Sequence, residues 1–163
     1  MLVISTITSS AIAIYMFNSK DERGLIAPDY AKSEIEENAE PFGNQEAEMP
    51  EQPEKGSGNV DIIYKKDVFV DLSKNIVSLL LGNPKTSDHD LLIQIYIKEL
   101  LIAESGMVKA GNQVKELGLE ENVRERLVSG EYEGIIKVYF YDCISAEKSL
   151  VDVKIPVVLT VRE

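Results

Sequence analysis

The sequence contains few of the residues on which common enzymes and nucleic-acid binders depend. It has one cysteine, Cys143, so an intrachain disulfide is excluded. It has one histidine, His89, and no nucleophile elbow, phosphate-binding loop or dinucleotide fingerprint, so no catalytic triad can be recognised. Lys and Arg number 17 against 28 acids, and the net charge of −11 argues against a nucleic-acid partner. We therefore expect a non-catalytic protein without a cofactor.

One short run, Ser87-Asp88-His89-Asp90, holds residue types that could bind a metal ion. Adjacent residues of a strand point to alternate sides, so these side chains rarely converge on one ion. We interpret the run as a polar loop in which Asp88 or Asp90 caps backbone amides. No metal site is predicted.

Cys143 is predicted to lie in the turn between the last two strands. The neighbouring carboxylates of Asp142 and Glu147 disfavour a thiolate, which is the reactive form of cysteine. We interpret Cys143 as an incidental surface residue.

Residues 1–17, MLVISTITSSAIAIYMF, carry no charge. A membrane-spanning helix needs about 20 apolar residues, so we predict a membrane anchor over residues 1–20. A cleaved signal peptide is one alternative, although the basic n-region and a convincing Ala-x-Ala site are missing. A buried helix of a soluble protein is the other alternative.

Residues 21–59 contain eleven acids and three bases, a net charge of −8, with few large apolar residues. Such a segment buries too little surface to offset its ordering entropy. We predict a disordered acidic linker that holds the following domain away from the membrane.

Residues 60–163 alternate apolar and polar residues in short runs that turn signals separate, which is typical of an all-β domain. About seven strands are predicted, and the length suits an immunoglobulin-like β-sandwich. The predicted strands are VDIIY with DVFVDL, NIVSLLL, DLLIQIYIK, ELLIAESG, NQVKELGL, EGIIKVYFYD and LVDVKIPVVLTV.

The alternation also assigns faces to the strands. The residues predicted to face the core are Ile93, Ile95, Ile97, Tyr132, Ile136, Val138, Phe140, Val151, Val153, Ile155, Val157, Leu159 and Val161. Pro156 falls at an outward-facing position of the alternation. A proline is tolerated there if the strand lies at the edge of a sheet. The spacing of Leu127, Gly130 and Tyr132 predicts a tyrosine corner at the start of the sixth strand.

The motifs Gly82-Asn83-Pro84, Glu104-Ser105-Gly106, Gly111-Asn112, Leu127 to Tyr132 and Tyr141-Asp142 are mostly turn and corner positions. Across roughly residues 76–161 they resemble immunoglobulin-like domains of uncharacterised membrane-anchored surface proteins of Gram-positive bacteria. The resemblance implies a single N-terminal anchor and an extracytoplasmic domain. It carries no catalytic motif. The bases that follow the apolar segment, Lys20 and Arg23, weakly favour the opposite orientation by the positive-inside rule.

Outward residues of the third and sixth strands form a candidate binding surface if these strands are neighbours. They are Gln94, Tyr96, Lys98, Lys137, Tyr139 and Tyr141. Tyrosines with basic residues suit protein contacts or sugar stacking, although outward Tyr and Lys are also ordinary strand residues.

Two functions of different classes follow, and the first is favoured. The chain is expected to be a single-pass cell-membrane protein whose external domain binds a protein or glycan partner, as an adhesion or scaffold domain or as a subunit of an envelope complex. A carbohydrate-binding module is the alternative, against which the absence of tryptophan counts. An enzyme is the reading that the missing motifs least support.

Overall fold

A computed structural model describes residues 27–42 and 62–163. The predicted membrane anchor, residues 1–20, lies outside the described residues, as do residues 21–26 and 43–59 of the predicted linker and residues 60 and 61 of the predicted domain. Among the helices of the two described ranges, none has the length and apolar character needed to span a membrane. The prediction of a disordered linker is wrong for residues 27–42, which contact the domain along their length and include a strand.

The described residues contain nine strands and one helical turn. In chain order these are β1 Ala39–Pro41, β2 Ile63–Tyr64, β3 Asp67–Asp71, β4 Ile76–Gly82, β5 His89–Ile97, β6 Leu100–Glu104, β7 Asn112–Gly118, α1 Val123–Arg126, β8 Gly130–Asp142 and β9 Lys148–Arg162. The predicted all-β class is confirmed, and α1 lies between the predicted strands NQVKELGL and EGIIKVYFYD.

All nine strands belong to one sheet of order β1-β7-β4-β3-β9-β8-β5-β6, with β2 paired to β4. The strand β3 pairs with β4 on one side and, in parallel, with β9 on the other. Because β3 joins both halves, the structure is a continuous sheet that curls into a half-barrel, where two separate sheets were expected. Across the open side, the amide of Glu120 donates to the carbonyl of Ile102 at 2.9 Å.

The concave face of the curled sheet holds the main hydrophobic core. Of the residues predicted to face inward, the following belong to it: Ile93, Ile95, Ile97, Ile136, Val138, Phe140, Ile155, Val157, Leu159 and Val161. Tyr132 and Val153 are partly buried and pack against it. Period-2 alternation therefore identifies the core face of these strands correctly.

Val151 was predicted to face the core, but it is exposed. The β8–β9 register shifts between Tyr139 and Tyr141, and this bulge interrupts the alternation near Val151. Pro156 pairs with Ile135 of β8. The parallel ladder with β3 starts only at Val158, so Pro156 lies where β9 has a strand on one side alone.

Candidate functional site

The predicted binding surface is largely covered. As predicted, β5 and β8 are neighbours, and the register pairs Gln94 with Lys137. However, Gln94, Tyr96, Tyr139 and Tyr141 are all buried. The expectation that they form an open patch is therefore corrected. Of the six predicted residues only Lys98, in the β5–β6 turn, is exposed, and Lys137 is partly exposed.

The cover is the chain segment 27–42, which we call the strap. At its start, the hydroxyl of Tyr141 donates to the carbonyl of Pro28 at 2.8 Å. The amide of Ala31 donates to the carbonyl of Ala146 at 2.7 Å, and the amide of Lys148 donates to the carbonyl of Asp29 at 2.8 Å. Beneath this part of the strap lies a second small apolar cluster, formed by Ala27, Leu92, Met107, Tyr139 and Tyr141. The strap thus begins beside the β8–β9 turn.

In its middle, the strap is fixed to the segment that follows β6. The amide of Met107 donates to the carbonyl of Glu34 at 2.8 Å, and the amide of Glu36 donates to the carbonyl of Met107 at 3.1 Å. The carboxylate of Glu36, which is buried, accepts the amide of Gly106 at 2.7 Å and that of Asn38 at 3.0 Å. Backbone groups make most of these contacts, so the strap needs few apolar side chains to stay in place.

At its end, the strap becomes β1 and pairs antiparallel with β7. The amide of Phe42 donates to the carbonyl of Gly111 at 3.1 Å. The ring of Phe42 lies so close to Gly82 that a Cβ at Gly82 would overlap it. Glycine at this position therefore makes room for the strap.

A polar network lies on the covered face. The hydroxyl of Tyr96 donates to Oε1 of Gln94 at 2.9 Å, and Nε2 of Gln94 donates to the carboxylate of Glu104. Glu104 also forms an ion pair with Lys32 of the strap, and the ammonium of Lys137 lies 4.3 Å from the centre of the Tyr96 ring. Burial raises the pKa of Tyr96 to about 12, and it raises the pKa of Tyr141 to about 12 as well. These polar groups bind one another and the strap, so they are already engaged within the chain.

An open groove lies elsewhere, along β3, β9 and the first half of β8. It has a volume of about 1160 Å³. Its exposed apolar side chains include Phe69, Ile135 and Val158, the last of which is 54% exposed. Charged side chains of both signs line it as well, among them Lys66, Asp67, Lys98, Glu131 and Glu133. An apolar floor with a mixed polar rim is typical of a protein contact surface.

Strand pairing brings these groove side chains onto one surface. Phe69 lies opposite Thr160 across the parallel ladder, and Val158 lies opposite Glu133. The guanidinium of Arg162 lies 5.1 Å from the centre of the Phe69 ring. Neighbouring strands therefore bring residues from distant parts of the sequence onto one surface. Sequence reasoning missed this surface, although the alternation of β3 gives Phe69 outward parity.

The run Ser87-Asp88-His89-Asp90 does not gather its side chains. Nδ1 of His89 lies 2.5 Å from Oδ1 of the largely exposed Asp88, whereas the carboxylate of Asp90 is buried and lies 2.6 Å from the ammonium of Lys109. Among residues 27–42 and 62–163, no group of three or more His, Cys, Asp or Glu side chains could hold a metal ion.

Cys143 is exposed in the β8–β9 turn. The amides of Ser145 and Ile144 donate to Oδ1 of Asp142, at 2.7 Å and 2.9 Å. These hydrogen bonds, with that from Ser145 the larger cause, lower the pKa of Asp142 below its usual 3.8. The turn is therefore organised around the Asp142 carboxylate.

Tyr132 lies at the start of β8 and binds the corner that precedes this strand. Its hydroxyl donates to the carbonyl of Val128 at 3.0 Å and accepts the amide of Val128 at 3.4 Å. Leu127 is buried against the core, and Gly130 has φ of 153°. A hydroxyl bound to the backbone four residues upstream is the geometry of a tyrosine corner.

Comparisons of this chain with family models, with curated proteins and with solved structures find no match.

Proposed function

We propose that this chain is a non-catalytic interaction module, held at the outer surface of a cell membrane by residues 1–20. Within it, residues 60–163 are proposed to form an immunoglobulin-like β-sandwich of the kind found in surface proteins of Gram-positive bacteria. The partner is proposed to be a protein that packs against the groove of β3, β8 and β9. The anchor is supported by the uncharged run of residues 1–17.

Two structural observations support the immunoglobulin-like assignment. The neighbours β7-β4-β3 and β9-β8-β5-β6 correspond in order to the two sheets of a variable-type domain, with β3 bridging them. The hydrogen bond from Tyr132 to Val128 lies at the start of β8, which corresponds to the strand that carries the tyrosine corner in that fold.

The exposed apolar side chains of the groove support the proposal of a protein partner. Phe69, Ile135 and Val158 are large apolar side chains that remain exposed on one sheet surface. Exposed apolar patches with a polar rim are characteristic of protein contact sites. In contrast, the tyrosines that a sugar ring could stack on, Tyr96 and Tyr139, are buried. A carbohydrate partner therefore gains no support from the covered face.

A photo-crosslinking amino acid at Val158 tests the partner proposal, with the same amino acid at Val128 as the control. Val128 is 69% exposed and is not among the residues that line the groove. We expect a protein partner that crosslinks from position 158 and not from 128. The recovered partner is then purified and its affinity measured against Val158→Asp and Val128→Asp.

A central contact residue contributes more than about 1 kcal/mol, so Val158→Asp is expected to weaken binding at least about fivefold. Val128→Asp is expected to leave the affinity unchanged. Equal crosslinking from both positions, or equal affinities for both variants, would contradict the proposal.

A further inference from the structure

The end of the sheet at which β8 turns into β9 exposes several large apolar side chains. Ile144 in the turn is 92% exposed and Leu150 at the start of β9 is 105% exposed. Val151 and Tyr30 are exposed beside them. We call these four residues the hairpin tip. Large apolar side chains that gather at one end of a domain mark a contact surface.

The strap starts at this same end. Tyr30 forms an isolated antiparallel bridge with Glu147, and the backbone carbonyl of Asp29 accepts the amide of Lys148. Ala27, the first described residue of the strap, is buried in the cluster that contains Tyr141. The chain therefore enters the domain beside the hairpin tip.

The length of chain before Ala27 limits how far the hairpin tip can be from an anchor. Residues 1–20 are the proposed anchor, and seven residue steps separate Lys20 from Ala27. A fully extended chain spans at most about 3.6 Å per residue, so the separation is at most about 25 Å. That is less than the thickness of a bilayer, which is about 30 Å in its hydrocarbon core alone. The point where the strap joins the domain is thus held close to the membrane.

We propose that the hairpin tip rests on the membrane surface, with Ile144 and Leu150 entering the boundary between headgroups and acyl chains. This inference depends on the anchor of the proposed function. Aliphatic side chains gain by leaving water there, and Tyr30 suits the interface because tyrosine has an apolar ring and a polar hydroxyl. The membrane surface thereby sets the orientation of the domain.

The charges near the hairpin tip indicate which lipids it contacts. Four acids, Asp29, Asp142, Glu147 and Asp152, outnumber three bases, Lys32, Lys148 and Lys154, in the segments that form it. Anionic lipids would repel this net negative charge, since surface potentials act within about a Debye length. Anionic lipids therefore weaken the contact without providing it, and the contact depends on the apolar side chains.

Cys143 provides the test, because it is exposed within the turn and is the only cysteine of the sequence. The full chain is reconstituted in phosphatidylcholine vesicles and Cys143 is labelled with a polarity-sensitive fluorophore. We expect a blue-shifted emission and quenching by nitroxide-labelled lipid. A control chain with Cys143→Ser and Ser129→Cys carries the label beside Gly130, at the other end of β8, and is expected to emit as in water.

Replacing the two apolar side chains with serine tests whether they make the contact. The variant Ile144→Ser with Leu150→Ser is expected to return the Cys143 label to a water-like emission. The matched variant Val128→Ser, which removes an exposed apolar side chain away from the tip, is expected to leave it unchanged. Vesicles with phosphatidylglycerol are expected to give a smaller shift than phosphatidylcholine alone.

Flotation of the same vesicles separates the two proposals. A chain that fails to float with phosphatidylcholine vesicles contradicts the anchor. A chain that floats while its Cys143 label emits as the Ser129→Cys control does overturns the membrane contact and leaves the anchor intact. A shift that grows with the ratio of protein to lipid means that the tip contacts a second copy, which also overturns the inference.

Discussion

The carboxylate of Glu36 accepts the backbone amide of Gly106 at 2.7 Å, although 70 residues separate the two along the chain. This hydrogen bond fixes the middle of the strap to the loop that follows β6. A Cβ at position 106 would lie 2.7 Å from the backbone nitrogen of Glu36, so glycine is required for the strap to approach. The strap is therefore built into the domain through backbone contacts.

Gly106→Ala is expected to displace the strap, because backbone atoms cannot move aside as the end of a flexible side chain can. Overpacking of this kind costs about 1–3 kcal/mol of the free energy of unfolding. We expect a lower denaturant midpoint and faster proteolysis within residues 27–42. The matched control is Gly118→Ala, whose Cβ would meet no atom within 4 Å. Equal midpoints for the two variants would show that the strap does not press on Gly106.

Glu104→Ala is expected to destabilise the chain more than Lys32→Ala. The Glu104 carboxylate binds both Lys32 and Nε2 of Gln94, and Gln94 is buried. Removing the Glu104 carboxylate leaves the buried side-chain amide of Gln94 without this acceptor, which costs about 1–3 kcal/mol. Removing Lys32 takes away a partly exposed ion pair, for which less than about 1 kcal/mol is expected. Urea unfolding of the two variants side by side measures the difference, and a reversed order would contradict the network.

Tyr132→Phe is expected to lower the free energy of unfolding by about 1 kcal/mol, because it removes the hydrogen bond to the Val128 carbonyl. The ring still packs against the core, so the fold is kept. Tyr30→Phe, at an exposed position of the strap, serves as the control and is expected to be neutral. A Tyr132→Phe chain as stable as Tyr30→Phe would rule out an energetic role for the corner.

Stability is expected to fall in acid through Asp142 and Asp71. Hydrogen bonds lower the pKa of both carboxyls in the folded chain, from the amides of Ser145 and Ile144 at Asp142 and from Ser73 and the Lys74 amide at Asp71. A depressed folded pKa means that the stabilisation is complete above the usual carboxyl pKa and disappears as the pH falls through the lower, folded value. The contribution of these two carboxyls is therefore lost as the pH falls below about 4.

The double variant Asp71→Asn with Asp142→Asn tests this acid dependence. Its unfolding free energy is expected to change less than that of the unmodified chain between about pH 5 and pH 2. Asp67→Asn, at an exposed position of β3, is the control. A double variant with an unchanged acid slope would show that other carboxyls dominate.

The core rows of β8 and β9 could be predicted because alternation records which side of a strand is apolar. Ile136 and Ile155 illustrate this, since both lie in the core as expected. Alternation cannot show whether the opposite side is covered. Tyr139 has outward parity and is nevertheless buried, because Ala27 of the strap, a segment distant in sequence, packs in the same cluster. That is why the predicted open patch was wrong.

The strap could not be predicted from its own sequence. A segment that is held by backbone hydrogen bonds needs no periodic pattern of hydrophobic residues. A weak signal exists in its partners instead. Gly82 and Gly106 look like turn residues in the sequence, yet each lies where Phe42 or Glu36 of the strap approaches closely. A glycine needed for close approach and a glycine needed for a turn cannot be told apart in a single sequence.

The groove of Phe69, Ile135 and Val158 was missed for a related reason. Each of these residues belongs to a strand in which apolar side chains are common, so none draws attention by itself. Only the pairing of β9 with both β3 and β8 brings them onto one surface. Such a grouping depends on long-range topology, which short-range patterns do not contain.

The proposed function is tested most directly by determining on which side of the membrane the domain lies. Cells that produce the full chain with Cys143→Ser and Ser129→Cys are treated with a membrane-impermeant maleimide, before and after permeabilisation. The position of residue 129 is suitable because it is exposed and lies at the other end of β8 from the hairpin tip. A membrane-associated chain that is labelled in intact cells is expected. Labelling only after permeabilisation would contradict an external interaction module.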